Sequence, residues 1–410
     1  MQNLSNAQWY DKLEKYVAGG SSTGSKRAYL LPEEPTVIVR GEGCRVWDAD
    51  GKEYIDYRNG LGPVSLGYGH PTVTEAVTEQ LKKGIVFGHP SYLEAEVAEL
   101  LCEVIPSAEK VRFLKTGGES CAACIKLARA YTGRDHIIQI GYNGWLNTVA
   151  AGARLNPREE AQGAPKGIPL PVSELFHAVG WGDTATIEKL FSAYEGKIAA
   201  VIVAAGYANM EIGATFYPFL REITKKNGAL LIYDEIVTGF RVATAGVQEY
   251  FNVVPDLSVF AKGIANGMPL SVFCGKAEIM DLLSQGAVVS STYGGDALSL
   301  AACKAVVEFY RKEKVTDYLW KAGEKLWTSV NKLLESYRVP SVVKGFWPCP
   351  SFVNQEGAPK DLTARILRAG YKYGVSMYSV SYVNYSHKDK DIDETIERMD
   401  KAVAEVAATL

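Results

Sequence analysis

Lys262 and Asp234 are the two residues whose types and spacing point most directly to chemistry. The run Gly228-Ala-Leu-Leu-Ile-Tyr-Asp234 is apolar until it stops on two carboxylates, Asp234 and Glu235. A buried parallel strand has that composition, and ligands bind outside the carboxyl ends of such strands. Twenty-eight residues beyond Asp234, the run Pro255-Asp-Leu-Ser-Val-Phe-Ala-Lys262-Gly-Ile-Ala-Asn-Gly-Met-Pro269 delivers a single lysine into a small-residue turn. A lysine amine condenses with an aldehyde to a Schiff base, and desolvation helps by lowering its pKa. A pyridine ring acts as an electron sink while its nitrogen is protonated, and a buried carboxylate keeps it so. The expectation is a pyridoxal phosphate aldehyde on Lys262 with Asp234 facing the ring nitrogen. The plain alternative is a solvated lysine that happens to follow a strand.

Three further stretches bear on that expectation. In Val111-Arg-Phe-Leu-Lys-Thr116-Gly117-Gly118-Glu119-Ser120-Cys121-Ala-Ala-Cys124 a strand, a Gly-Gly turn and a helix of small residues follow one another. A helix start of this kind offers unpaired N–H groups and the positive end of the dipole to a phosphate. It could equally be a tight turn. Its Cys121-x-x-Cys124 reads as small buried helix residues, because no second cysteine pair has zinc spacing. In Gly141-Tyr142-Asn143-Gly144 an aromatic at a strand end could lie flat on a ring, or be an ordinary loop aromatic. In Ser290-Ser-Thr292-Tyr-Gly-Gly-Asp296 a hydroxyl beside glycines could reach a phosphate, or cap a helix.

The elements that must position these residues follow from pattern. At 410 residues, 47% hydrophobic and 22% charged, the chain suits a large soluble domain plus a smaller one. A net charge of −3 from 44 basic and 47 acidic residues gives no reason to expect nucleic acid or an anionic membrane. No run nears the roughly 18 apolar residues of a membrane span, and the N-terminus lacks a signal-peptide pattern. Seven scattered cysteines favour reduced thiols and a cytoplasmic location. The five histidines lack metal spacing, so no metal is expected, and no dinucleotide, Walker or serine-elbow motif occurs.

A helix is expected over 5–17, strands over 36–40, 44–48 and 53–57, and helices at about 72–83 and 93–104. Strands at 110–115, 136–141, 199–204, 229–234, 257–260 and 270–275 alternate with helices, which implies βαβ units and a mainly parallel sheet. The segment 154–175 reads as an irregular excursion. After about 296 come helices at 296–312 and 314–337, a strand at 339–344 and helices at 359–371 and 391–408. The domain reading is an N-terminal segment 1–60 packing with the small domain, a large domain 61–300 and a C-terminal small domain 301–410.

In this order the pieces resemble the class III pyridoxal phosphate aminotransferases of fold type I, nearest the glutamate-1-semialdehyde aminomutase branch. The resemblance runs over about 15–405 and is strongest in Leu231–Val242 and Pro255–Pro269, with support from Trp47–Asp56 and Leu66–Pro71. It implies an α/β fold with a seven-stranded, mainly parallel sheet, helices on both faces, and a smaller α+β domain. It further implies the cofactor bond and proton transfer for Lys262, the pyridinium contact for Asp234, and phosphate binding by the amides of Gly117 and Gly118. Tyr142 and Ile236 would take opposite faces of the ring, Asn209 would approach its hydroxyl, and Thr292 would reach the phosphate of a neighbouring subunit in a homodimer.

The sequence departs from the family where substrate is expected. Thr116-Gly117-Gly118-Glu119 lacks a hydroxyl of the family's turn, Asn143 replaces a histidine, and Ala204-Ala205 replaces Glu-Pro. Leu61 stands for a tryptophan and Ser379 for an acid. Arg27 or Arg58 could pair with a substrate carboxylate, while Asn143, Ser379 and Tyr382 would suit a hydroxylated acceptor. The reading is a transaminase between a donor amino acid and a carbonyl compound, for which a keto sugar or cyclitol would fit. An intramolecular aminomutase or epimerase is the alternative. A non-catalytic family member is disfavoured by the presence of Lys262 and Asp234.

Overall fold

The apolar runs expected to be buried strands assemble into one sheet of seven strands. A computed structural model describes residues 4–27, 31–146 and 166–410. Its main elements begin with α1 (Asn6–Tyr16), β1 (Ile38–Glu42), β2 (Arg45–Asp48), β3 (Glu53–Asp56), α2 (Pro71–Leu81) and α3 (Tyr92–Val104). Next come β4 (Lys110–Leu114), α4 (Gly117–Thr132), β5 (His136–Ile140), β6 (Phe176–Val179), α5 (Thr184–Ala193) and β7 (Ile198–Ala204). They are followed by α6 (Gly213–Asn227), β8 (Leu230–Asp234), β9 (Leu257–Phe260), β10 (Ser271–Gly275) and α7 (Ala297–Glu313). The chain ends through α8 (Val315–Ser336), β11 (Ser341–Lys344), β12 (Ser351–Asn354), α9 (Leu362–Lys372), β13 (Val375–Ser376) and α10 (Asp389–Ala407).

The described chain forms two units, one of Met1–Pro71 with Asp317–Leu410 and one of Thr72–Thr316. In the second unit the strand order is β4-β10-β9-β8-β7-β5-β6. Strands β5 to β9 pair in parallel, and β10 runs antiparallel to both β4 and β9. Every residue of β8, β9 and β10 is buried, as near-continuous apolar composition demands of strands covered on both faces. Alternation along β8 shows the two covers: Ile232 shares a cluster with Ile125 and Leu127 of α4, while Tyr233 meets Tyr217 of α6 edge-on at 5.0 Å. The small residues Cys121, Ala123, Cys124 and Ala128 let α4 lie close on the sheet.

In the first unit the strand order is β1-β2-β3-β13, and β3 pairs in parallel with β13 through Ile55↔Val375 and Asp56↔Ser376. β11 and β12 form a separate two-stranded sheet. The two compact units divide at 71/72 and 316/317. Tyr68 bridges to Gly43 and donates to Asp56, which ties 61–71 to the first unit. Helix α7 packs on α3 and on the turn that carries Lys262, which keeps it in the second.

Three strands escaped the sequence pattern. β6, β12 and β13 are two to four residues long, and β6 is buried only at its ends, which is too little pattern to mark a strand. The irregular stretch expected at 154–175 lies outside the described residues as far as 165; beyond it Leu170–Ser173 is a short helix. No helix among the described residues is long and apolar enough to cross a membrane.

Candidate active site

The parallel register brings the chemistry to one edge of the sheet. Asp234 ends β8 opposite Val259 of β9, three residues before Lys262, and opposite Ala204 at the end of β7. Beyond β9 the backbone turns at Lys262 itself, whose φ of 50° lies in the left-handed region. That conformation costs a non-glycine residue about 1–2 kcal/mol, and such strain persists where surrounding structure imposes it. Ile264 and Ala265, both fully buried, anchor the turn.

Asp234 is 6% exposed and accepts three hydrogen bonds from the described residues. Its Oδ2 takes one from Asn143 Nδ2 at 2.9 Å and a weaker one from the Cys121 thiol at 3.7 Å. Its Oδ1 takes one from the Ile236 amide at 3.1 Å. Burial raises the Asp234 pKa above the usual carboxylate value, against the pull of Asn143, the Ile236 amide, the Lys262 ammonium and Cys121. A carboxylate so placed gains from a cation or a protonated ring nitrogen beside it. The Oδ1 of Asn143 is also buried and has no hydrogen-bond partner among the described residues.

Helix α4 begins with a reciprocal cap. Thr116 Oγ1 accepts from the Glu119 amide at 3.4 Å, and Glu119 Oε2 accepts from the Thr116 amide at 2.7 Å. The first two helical amides, Gly117 and Gly118, enter no hydrogen bond among the described residues, so two donors remain for an anion. A Cβ at Gly117 would stand 2.3 Å from Ile236 Cδ1, so any side chain there would require Ile236 to move away from the helix start. Gly118 faces Gly144, where a Cβ would make an ordinary 3.6 Å contact. Tyr142 is 56% exposed, and partial burial beside Asp234 raises its phenol pKa. Two helix-start amides without a partner among the described residues, a glycine pair beside Ile236 and a buried carboxylate with its lysine fit a phosphorylated pyridine.

The structure therefore groups Gly117, Gly118, Tyr142, Asn143, Asp234, Ile236 and Lys262. Asn143, expected to face substrate, instead turns inward: it is 1% exposed and orients Asp234. Asn209 is exposed, its carbonyl accepts from Trp181 at 3.2 Å, and no described contact joins it to Asp234. Thr292 is exposed in a turn lining a cavity with residues 86–91 and β4, apart from this cluster. Cys121 is a site neighbour that the sequence reading treated as packing alone. Its signal was the helical spacing, one turn beyond Gly117 on the same face.

The remaining candidates lie in the first unit. Arg58 pairs with Glu34, donates to Tyr371 Oη at 3.1 Å and to the Ser25 carbonyl, and lies 4.8 Å over the Tyr378 ring. Its fork is committed to the fold, which removes it as a carboxylate clamp. Arg27 is half exposed with Glu14 3.5 Å away. Leu61 sits in a left-handed turn with φ of 75°, Ser379 is exposed, and Tyr382 is buried with its amide on the Tyr57 carbonyl at 2.7 Å.

A sequence profile described as "Aminotransferase class-III" matches residues 30–403. The chain belongs to the class-III aminotransferases. A glutamate-1-semialdehyde 2,1-aminomutase from Syntrophomonas wolfei subsp. wolfei is 32% identical, with 98% of each chain covered. One from Persephonella marina is 31% identical over 95% of this chain and 96% of its own. Among solved structures, the PLP internal aldimine form of the Sphingopyxis sp. MTA144 FumI protein is similar, with a TM-score of 0.87, 25% identity and 98% and 96% coverage. A transaminase with PLP bound has a TM-score of 0.90 at 24% identity, with 98% of both chains covered. This aminotransferase has the α/β architecture of fold type I, and its cofactor is pyridoxal 5'-phosphate.

Proposed function

We propose that this class-III aminotransferase moves an amino group from a donor amino acid to a separate carbonyl acceptor, with Lys262 as its catalytic residue. The observation that carries the reading is the buried Asp234, fixed by Asn143 and the Ile236 amide beside the lysine turn. When bound, the cofactor supplies the aldehyde that takes up an amino group and the ring that spreads the resulting charge. Lys262 Nζ would give the attachment point and a base placed to move a proton. Asp234 would keep a positive charge on the ring nitrogen, the Gly117 and Gly118 amides would hold the phosphate, and Ile236 and Tyr142 would contact the ring.

A polar acceptor such as a keto sugar or cyclitol fits the loss of the aromatic and acidic groups at Leu61 and Ser379. The commitment of Arg58 to Glu34 and Tyr371 also supports an acceptor without a carboxylate at that position. Placement of exposed Thr292 away from its own chain's cluster supports a homodimer in which it serves the partner's phosphate. The absence of any disulfide among seven thiols suits the cytoplasm. The curated relatives favour a second reading, an aminomutase that returns the amino group to the same molecule.

A spectral screen of amino donors and carbonyl acceptors, followed by product analysis, separates the two. A transaminase stops after one half-reaction until an acceptor is added. Full turnover of a lone amino aldehyde would replace the first reading with the second.

A further inference from the structure

We propose that Lys115 is the positioning residue of the phosphate site, a half-buried lysine that pins the start of α4 to two other loops. The inference rests on the cofactor reading above. Lys115 stands one residue before the capping pair Thr116 and Glu119, and its own amide donates to Glu119 Oε2 at 3.2 Å. Its side chain leaves the helix start and ends among acceptors from two distant segments. Nζ donates to the Pro269 carbonyl at 2.9 Å, to Ser299 Oγ at 3.2 Å and to the Asp296 carboxylate.

An ammonium has three N–H donors, and here each has an acceptor. The acceptors are themselves cross-linked, since Ser299 Oγ donates to the Pro269 carbonyl at 3.1 Å and the Ser299 amide donates to Asp296 Oδ1 at 3.0 Å. Pro269 closes the turn that begins at Lys262, and Asp296 closes the turn that carries Thr292 and caps α7. The side chains of Lys115 and Asp296 are only 17% and 10% exposed, so solvent does little to replace one partner if the other is lost.

The site needs such a pin because its phosphate donors are the amides of two glycines. Gly117 and Gly118 have no side chains to lock their place, and the hydroxyl that a threonine at 118 would bring is absent. The Lys262 turn has anchors of its own in Ile264, Ala265 and α7. The phosphate end of the site therefore depends on Lys115 more than the aldehyde end does.

The test uses the full-length apoprotein titrated with pyridoxal phosphate and, separately, with unphosphorylated pyridoxal, followed by absorbance. Lys115→Met should weaken pyridoxal phosphate at least about tenfold and pyridoxal by less than about threefold, because displacing donors by a fraction of an ångström acts on the phosphate. Asp296→Asn should lower the same affinity ratio while leaving the lysine in place. Lys115→Arg should recover only part of it, because a planar fork cannot serve three acceptors set around one nitrogen. Unchanged pyridoxal phosphate affinity in Lys115→Met overturns the proposal. Equal weakening of both ligands, together with a lower melting temperature of the apoprotein, overturns it too and leaves Lys115 a support of the fold. Wild-type protein that takes up no pyridoxal phosphate would refute the cofactor reading itself, a result distinct from either.

Discussion

Two buried carboxylates, one in each unit, end strands of two different sheets, and burial raises the pKa of both, but different donors meet them. Asp56 in the first unit accepts from Tyr68 Oη at 2.6 Å, Ser376 Oγ at 2.7 Å and the amides of Arg58 and Asn59 at 3.0 Å. Those donors hold the turn Asn59-Gly60-Leu61-Gly62, in which four successive residues have positive φ. Asn384 supports it by donating to Asn59 at 2.8 Å. Asp234 in the second unit has three donors, one of them a thiol, and beside it lies an amide oxygen with no partner among the described residues. A fully satisfied buried carboxylate maintains a backbone shape, whereas an under-satisfied one beside a strained lysine keeps its capacity for a ligand.

That contrast can be broken by substitution. The largest effect belongs to Lys262→Ala, for which we expect no covalent cofactor and turnover lower by at least about 10³-fold, read by mass after borohydride reduction and by steady-state rates. Retained turnover would remove the second unit's claim to the chemistry. Next, Asp234→Asn should cost cofactor affinity or turnover at least about a hundredfold yet leave the apoprotein Tm equal or higher, since it removes an under-satisfied buried charge. Asp56→Asn should do the reverse, lowering Tm by an amount worth about 2–4 kcal/mol. If both variants lose stability alike, the distinction between the two carboxylates fails.

A subtler expectation concerns pH. His387 is fully buried, stacks on Tyr57 with ring centroids 4.1 Å apart, and accepts from the Asn384 amide at 2.9 Å on Nδ1. Burial pushes its pKa from 6.5 down to about 3. Between those values the unfolded chain binds a proton that the folded chain refuses, so stability falls as pH drops from 6.5 toward 3. His387→Phe should be less stable at neutral pH but show a flatter dependence of Tm on pH across that window. An unchanged slope would place the acid sensitivity elsewhere. The smallest effect is Gly118→Thr, which meets only ordinary contacts at Cβ and should tighten pyridoxal phosphate by about fivefold through one added hydroxyl donor.

Much of the fold was legible because buried parallel strands announce themselves as short apolar runs. The six strands expected between 110 and 275 all occur, each within one or two residues of the expected bounds. β6 was not legible, since an edge strand of four residues is defined by its neighbour β5 and not by its own composition. The placement of α7 was not legible for a related reason: it reads as the opening of a new helical region, and only its packing on α3 and the Lys262 turn assigns it to the second unit. Within the site, Lys262, Asp234 and the Gly117-Gly118 start stood out by residue type. The inward turn of Asn143, the thiol contact of Cys121 and the three-way bond of Lys115 did not, because each joins residues more than ninety positions apart.

By itself, then, the sequence determined the residue types available for the chemistry, Lys262, Asp234 and the Gly117-Gly118 helix start, and its resemblance to the class-III aminotransferases pointed to how they are used. Tertiary structure alone decided how those groups are held. The parallel register sets Asp234 opposite Val259 and so beside the Lys262 turn. Ile236 lies so close to Gly117 that a side chain there would force it to shift. Arg58 is spent on Glu34 and Tyr371, however suitable its type for a substrate. Residue type fixes what a side chain can do, while register and packing fix which partners remain for it to do it with.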